Sequence, residues 1–289
     1  MAEITTIGVI GSGTMGGGIV QVCAQAGYRV VVYDVQDAFL QRAMDSLRST
    51  FGMLVGKGKL TAADSEATLE RIVASTDLAD LAPCQFVIEA APESIELKRD
   101  LFGKLDALCD PATIFASNTS SLSITAIGAA TSRPEQVVGM HFFNPAPLLK
   151  LVEVVAGQYT SAATIEATVA LARKLGKTPV RVKDTPGFIV NRVARPFYGE
   201  SLRLLGEQTA DVATLDRIIE QEGGFRMGPF RLMDLIGIDI NFAVTQSVFA
   251  SYFGEARYRP HPIQQRMVEA GTVGRKTGRG FYDYREEDK

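Results

Sequence analysis

The sequence predicts an α/β fold, with a doubly wound, mostly parallel sheet domain followed by an all-helical C-terminal domain. Three observations predict it. Short apolar strands alternate with helical stretches through the first part of the chain, and a glycine-rich turn joins the first strand to the first helix. After Asp184-Thr185-Pro186-Gly187, strand signals nearly vanish and helical patterns dominate. The boundary therefore falls near Thr185, giving domains at 1–185 and 186–289.

Taken in order, Ile7-Gly8-Val9-Ile10 reads as a short buried strand and Gly11-Ser12-Gly13-Thr14-Met15-Gly16 follows it. A helix then fits, because Ile19, Val22, Cys23 and Ala26 recur at helical spacing before Gly27 ends it. Val30-Val31-Val32-Tyr33 is a second buried strand, closed by Asp34. This β-α-β start implies a parallel sheet. A long helical region comes next, interrupted at Gly52, Gly56 and Gly58. Phe86 to Ala91 is a strand, and Leu97, Leu101, Leu105 and Leu108 mark one face of the helix after it. Thr113–Ala116 is a strand that runs into Ser117-Asn118-Thr119-Ser120-Ser121, and Val137–Met140 is one that leads into His141. Leu149 to Val155 reads as a strand, Ile165–Leu175 as a helix and Pro179–Val182 as a strand. Beyond the boundary, breaks are expected at Gly206, Gly223-Gly224, Gly237 and Gly254.

Composition narrows the function classes. The chain has 289 residues, 46% hydrophobic and 22% charged, so it can bury a sizeable core without covalent staples. A net charge of −3 gives no overall electrostatic pull towards nucleic acid. The three cysteines, Cys23, Cys84 and Cys109, form no C-x-x-C pair and lie among apolar residues, so neither a disulfide framework nor a zinc site is expected. They read as core residues of a protein in a reducing, cytoplasmic compartment. The first basic residue is Arg29, so no secretory signal is expected, and no apolar run is long enough to span a bilayer.

Gly11-x-Gly13-x-x-Gly16 carries the first chemical signal. Alone the pattern is weak, but here it follows a strand, opens a helix and is answered by Asp34 roughly 20 residues after the glycines. Gly11 permits the tight turn, Gly13 lets the backbone approach a pyrophosphate, and Gly16 lets the helix pack on the strand. The helix N-terminus offers N–H groups and a positive dipole end to the phosphates. Asp34 would bind the adenosine ribose hydroxyls and repel a 2′-phosphate, which favours NAD over NADP.

Further motifs follow in order: Ser117-Asn118-Thr119-Ser120-Ser121-Leu122, then Gly139-Met140-His141-Phe142-Phe143-Asn144-Pro145, then Leu151-Val152-Glu153-Val154, then Asp184-Thr185-Pro186-Gly187-Phe188-Ile189-Val190-Asn191-Arg192, and Gly278-Arg279-Gly280-Phe281-Tyr282 near the end. Together with the glycine motif they closely resemble the 3-hydroxyacyl-CoA dehydrogenase family, including its bacterial 3-hydroxybutyryl-CoA dehydrogenases. The resemblance implies a Rossmann-type NAD-binding domain and a helical domain that forms a homodimer. It implies His141 as catalytic histidine, Glu153 as its carboxylate partner, Ser120 and Asn191 as holders of the substrate oxygen, and Asn144 as an active-site asparagine. It places Gly11, Gly13, Thr14, Met15, Gly16 and Asp34 on the cofactor, with Glu93 near the nicotinamide and Lys98 assigned to the same site. Lys57 matches a lysine that contacts coenzyme A. The implied reaction interconverts an (S)-3-hydroxyacyl-CoA, short-chain such as 3-hydroxybutyryl-CoA, and its 3-keto form.

The residue types suit that chemistry. Oxidising an alcohol needs a hydride acceptor and a base for the hydroxyl proton, and histidine titrates in the useful range. A carboxylate on its other nitrogen would fix the tautomer and stabilise the imidazolium. Ser and Asn side chains can bond a developing carbonyl oxygen. Other readings of single residues stay open. A histidine at an apolar strand end also fits a core residue, a glutamate alternating with apolar neighbours also fits a solvent face, and Lys57 with Lys59 also fits a solvated pair in a glycine-rich turn. His261, in Arg259-Pro260-His261-Pro262, reads as a surface turn residue.

Rival chemistries are thinner. No tyrosine has lysine four residues on, which removes the short-chain dehydrogenase pattern, and the scattered cysteines supply no zinc ligands. A same-fold dehydrogenase of a free hydroxy or sugar acid is the nearest alternative, and Lys57 counts against it. From another class, an inactive NADH-binding structural protein would not need Ser120, His141, Asn144, Glu153 and Asn191 together. A fragment of the multifunctional fatty-acid oxidation enzymes is a third possibility; the chain has no room for their hydratase domain, so a stand-alone enzyme is expected.

Overall fold

A computed structural model describes residues 3–285, so the outermost ends of both assigned domains lie outside the described residues. The chain divides into two compact units, one up to Thr185 and one from Pro186 onward.

In the first unit the elements run β1 (Thr6–Ile10), α1 (Thr14–Gln25), β2 (Arg29–Tyr33), α2 (Asp37–Gly56), α3 (Ala62–Glu70), β3 (Ile72–Ser75), β4 (Phe86–Glu89), α4 (Ile95–Leu108), β5 (Ile114–Ser117), α5 (Ile124–Gly128), β6 (Val137–Phe142), β7 (Leu151–Ala156), α6 (Ala162–Lys174) and β8 (Thr178–Lys183). The eight strands form one sheet in the order β3-β2-β1-β4-β5-β6-β7-β8. Every neighbouring pair is parallel except β6 with β7. Strand order reverses between β1 and β4, the kind of point where open α/β sheets bind ligands. The residues of β4, β5 and β6 are buried throughout, which is why they read as continuous apolar runs rather than alternating ones. Ile7, Val9, Ile19, Val20, Cys23 and Val30 belong to the core between sheet and helices.

The structure departs from the sequence reading at several points, α5 among them, which the sequence reading did not foresee. β3 lay unrecognised inside the long helical region; a four-residue edge strand paired only with β2 is too short to show its own period. α2 runs unbroken through Gly52, because burial of Leu40, Leu47 and Phe51 outweighs the roughly 1 kcal/mol that a helical glycine costs. β7 starts at Leu151, since the Leu148 and Leu149 amides both donate to Pro145 O and close a turn first.

The second unit contains α7 (Val190–Gly206), α8 (Val212–Gln221), α9 (Pro229–Ile236), α10 (Ile238–Ser251) and α11 (Pro262–Glu269). Its core gathers Tyr198, Leu202, Phe230, Met233 and Ile238. Two buried carboxylates pin its last segment. Asp234 accepts from the Phe281 and Tyr282 amides and from Tyr284 OH, and Asp216 accepts from the Phe230 and Arg231 amides and from Tyr282 OH. His261 is the N-cap of α11, with Nδ1 accepting from the Ile263 amide. No single described helix is long and apolar enough to cross a membrane.

Candidate active site

The glycine loop builds the first half of the site. Gly11 has φ +92°, and a Cβ there would come within 2.7 Å of Ala90 O, so only glycine fits. A Cβ at Gly16 would meet Gly11 O at 1.9 Å, so Gly16 lets α1 start tight against the loop. Gly13 is different: a Cβ there would touch nothing within 4 Å, and its openness leaves room for a ligand. No side chain caps the α1 N-terminus. Its first amides and the positive end of the helix dipole face the loop, as an anionic group requires. At the end of β2, Asp34 Oδ2 accepts from Ser12 N at 2.8 Å and Ser12 Oγ at 2.6 Å, and Oδ1 accepts from Val35 N at 2.8 Å. These bonds fix the carboxylate beside the loop and leave acceptor capacity for ribose hydroxyls. The residues fit a dinucleotide.

A cleft of about 1400 Å³ opens there, and Gly11, Gly13, Thr14, Met15, Asp34 and Lys57 line it. Asn144 lines it as well. Gly16 is not among the lining residues, and a Cβ added to it would also come within 3.8 Å of Ala90 Cβ. Lys57 caps the C-terminus of α2 and is exposed, as is Lys59.

A buried ion network carries the loop that follows β4. Glu89, wholly buried, accepts from Lys98 Nζ at 2.6 Å, Ala91 N at 2.7 Å and Ser117 Oγ at 2.6 Å. Lys98, 1% exposed, also donates to Ala91 O at 3.2 Å and lies 3.5 Å from Glu93 Oε2. Glu93 Oε1 in turn accepts from Thr119 Oγ1 at 2.5 Å and from the Ser120 and Ser121 amides at 3.1 and 3.2 Å. Glu93 and Lys98 thus brace the serine loop that carries Ser120, which sequence spacing alone did not reveal. Asn118 Oδ1 accepts from Phe142 N at 2.8 Å and ties the same loop to β6.

The antiparallel pair β6/β7 sets the next geometry. His141 stands directly opposite Glu153 in the register, and His141 Nδ1 lies 2.7 Å from Glu153 Oε2. Both are buried, Glu153 to 1% exposure, so it is not on a solvent face. The Phe143 ring packs against His141 at 4.4 Å between centroids. After β6, the chain turns through Asn144 and the cis peptide to Pro145. Lys177 holds this turn from behind, donating to Ala146 O at 2.5 Å and Leu149 O at 3.0 Å. Burial pushes its amine below the usual lysine value. In the second unit, Asn191 is the second residue of α7, and its carbonyl accepts from Arg195 Nε at 3.1 Å.

Sequence reasoning missed Glu89, Ser117, Asn118 and Lys177 as supports. A lone acid ending an apolar strand was a readable signal for Glu89; a lysine in an αβ turn gave none for Lys177.

The comparisons with known proteins agree with this architecture. The model of the 3-hydroxyacyl-CoA dehydrogenase NAD binding domain matches residues 6–185, and that of the family's C-terminal domain matches residues 187–284. The chain is 49% identical to the 3-hydroxyadipyl-CoA dehydrogenase of Escherichia coli over 99% of its own length, and spans 60% of that relative. It is 46% identical to a probable 3-hydroxybutyryl-CoA dehydrogenase of Deinococcus radiodurans, covering 96% of this chain and 99% of that one. The crystal structure of (S)-3-hydroxybutyryl-CoA dehydrogenase from Ralstonia eutropha matches with a TM-score of 0.94 and 43% identity, over 98% of this chain and 100% of the other.

Proposed function

This chain belongs to the 3-hydroxyacyl-CoA dehydrogenase family, and on that premise we propose that it interconverts an (S)-3-hydroxyacyl-CoA and its 3-ketoacyl-CoA with NAD. The observation that carries the reading is the buried His141 Nδ1–Glu153 Oε2 contact of 2.7 Å, in the same unit as the dinucleotide cleft. Bound NAD supplies the hydride acceptor. Glu153 accepts the proton on Nδ1, which makes Nε2 the nitrogen with the lone pair, and Nε2 takes the proton of the substrate hydroxyl. Glu153 then faces an imidazolium and stabilises it without moving. Ser120 and Asn191 hold the oxygen as it becomes a carbonyl. In the reverse direction His141 returns the proton to the alkoxide.

The first unit is the NAD-binding domain in this reading. The second provides Asn191 and pairs two copies into a homodimer, for which half-exposed Leu235, Ile236 and Ile240 offer apolar surface. The enzyme works in the cytoplasm, where Cys23, Cys84 and Cys109 stay reduced; burial raises the first two thiols to about 12 and the third to about 11. The Lys57 ammonium beside the cleft suits the phosphates of coenzyme A better than a free hydroxy acid. For the acyl end, a methyl-ended short chain is one reading. A chain ending in a second carboxylate is the other, as the name of the Escherichia coli relative says of that protein. The test is NADH oxidation followed with 3-ketoacyl-CoAs. Turnover of these with NADH, and none of free 3-keto acids, is the expected result; no turnover of any thioester overturns it.

A further inference from the structure

Arg195, on α7, is 4% exposed. Its Nε donates to Asn191 O at 3.1 Å, and Nη1 donates to Asn241 O at 2.9 Å and Thr245 Oγ1 at 2.8 Å. All these acceptors are neutral. Its guanidinium lies 5.1 Å from the centre of the Tyr198 ring, and no carboxylate among the described residues lies within ion-pair distance. Burial lowers its pKa to about 10, and only Tyr198 opposes that shift. Buried charges are ordinarily paired, because desolvation is expensive. Two other buried cations show that pairing, whereas Lys177, Asp216 and Asp234 are held by backbone groups and tyrosine hydroxyls alone. Arg133 meets the Asp106 carboxylate at 2.6 Å, and Lys98 meets Glu89 at 2.6 Å.

A second observation lies beside it. Asn241, 1% exposed, gives its carbonyl to Arg195 and its Oδ1 to Gln264 Nε2 at 2.9 Å, while its Nδ2 has no hydrogen-bond partner. Asn241 Nδ2 is therefore a buried donor that the fold does not use, and it belongs to the residue next to a buried guanidinium whose hydrogen bonds all go to neutral acceptors. The acceptor this calls for is an anion, and planar guanidinium pairs best with a carboxylate or phosphate.

Position narrows the choice. Residues 191 and 195 are four apart on one helix and share a face, and the Nε–Asn191 O bond shows the Arg195 side chain folded back over the turn that carries Asn191. We propose that Arg195, with Asn241, receives the carboxylate at the far end of a dicarboxylic acyl thioester, so that α7 holds both ends of the acyl group. Asn191 takes the C3 oxygen, as in the proposed function on which this inference rests, and Arg195 takes the terminal carboxylate. One helical turn rises about 5.4 Å, a span that a few carbons beyond C3 can bridge. The depth of Arg195 suits the end of an acyl chain rather than a bulky phosphate.

The experiment compares 3-hydroxyadipyl-CoA with 3-hydroxyhexanoyl-CoA, which has the same chain length and a methyl in place of the distal carboxylate. Wild-type kcat/KM is expected to favour the dicarboxylic thioester. Arg195→Met should lower the ratio of the two kcat/KM values by about ten- to a hundredfold, the range lost with a hydrogen bond between charged groups. Arg195→Lys, which keeps the charge, should restore part of the ratio. A merely structural arginine would lower both substrates together and leave the ratio alone, which overturns the proposal. So does a wild-type ratio at or below one, whether or not the variants fold. A wild-type enzyme that oxidises neither thioester sinks the dehydrogenase reading itself, whereas oxidation of hexanoyl thioester without preference for the adipyl one sinks only the role of Arg195.

Discussion

Lys98 Nζ and Glu89 Oε1 meet 2.6 Å apart where neither side chain sees solvent, and through Glu93 the pair reaches the amides of the serine loop. Removing one partner leaves the other charge buried and uncompensated. Lys98→Met should destabilise the protein by about 3–5 kcal/mol. Glu89→Gln/Lys98→Met should recover much of that loss, because the orphaned charge is then gone. Chemical denaturation measures both; a double variant as unstable as Lys98→Met would mean that the pair contributes nothing through its charge.

Asp34 presents a fixed carboxylate at the lip of the cleft. A 2′-phosphate there would meet its charge. The wild type is therefore expected to prefer NAD(H) strongly over NADP(H), and Asp34→Ala should erode the preference by about tenfold or more, the scale of a lost hydrogen bond to a charged group. Comparable kcat/KM for the two cofactors in the wild type would refute this role.

Much of this was legible in the sequence because local chemistry and tertiary need coincide. The glycine loop needs its glycines for reasons of turn geometry, and Asp34 ends a strand in the register that the loop dictates. His141 and Glu153 were legible as residues of adjacent strands, but their contact depends on an antiparallel register that no local pattern encodes. β3 was invisible because its neighbours supply its stability. Glu89, Asn118 and Lys177 act through bonds to residues far along the chain, where sequence spacing carries no signal.

Lys57 lies exposed on the wall of the cleft. As a contact to a coenzyme A phosphate it is screened by water, so its effect should be modest. Lys57→Ala should raise KM for the acyl-CoA by roughly two- to fivefold, since exposed ion pairs contribute about 0.2–1 kcal/mol. KM for NADH should rise less. The opposite split would move Lys57 to the cofactor.

The second unit exposes Leu235 and Ile240 at about half their surface and Phe253 completely. Apolar side chains left this open are expected to be covered by a second copy. Sedimentation at micromolar protein should give twice the chain mass, and Ile240→Glu with Leu235→Glu should shift it towards the monomer. A wild-type monomer at that concentration would remove the dimer from the proposal.

The histidine and glutamate across β6/β7 offer the sharpest test. If His141 Nε2 accepts the hydroxyl proton, His141→Ala deprives the oxidation of its base. General-base catalysis contributes typically about 10²–10⁴-fold, so kcat should fall by at least the lower figure while NADH binding persists. Glu153→Gln keeps the shape of the side chain and removes the charge that faces the imidazolium. Its amide can also present an N–H to Nδ1, which would turn the ring to the wrong tautomer. It should lower kcat substantially with little change in KM, because the interaction strengthens only as the imidazolium forms. A merely structural glutamate would instead lower thermal stability and leave kcat in place. If the two residues act as one unit, the loss in the double variant should be far smaller than the product of the single losses. Retention of more than about a tenth of wild-type kcat in His141→Ala would eliminate this histidine as the base, since that residual activity exceeds what loss of a general base permits. Losses that simply multiply would leave His141 as the base and reduce Glu153 to an independent contributor.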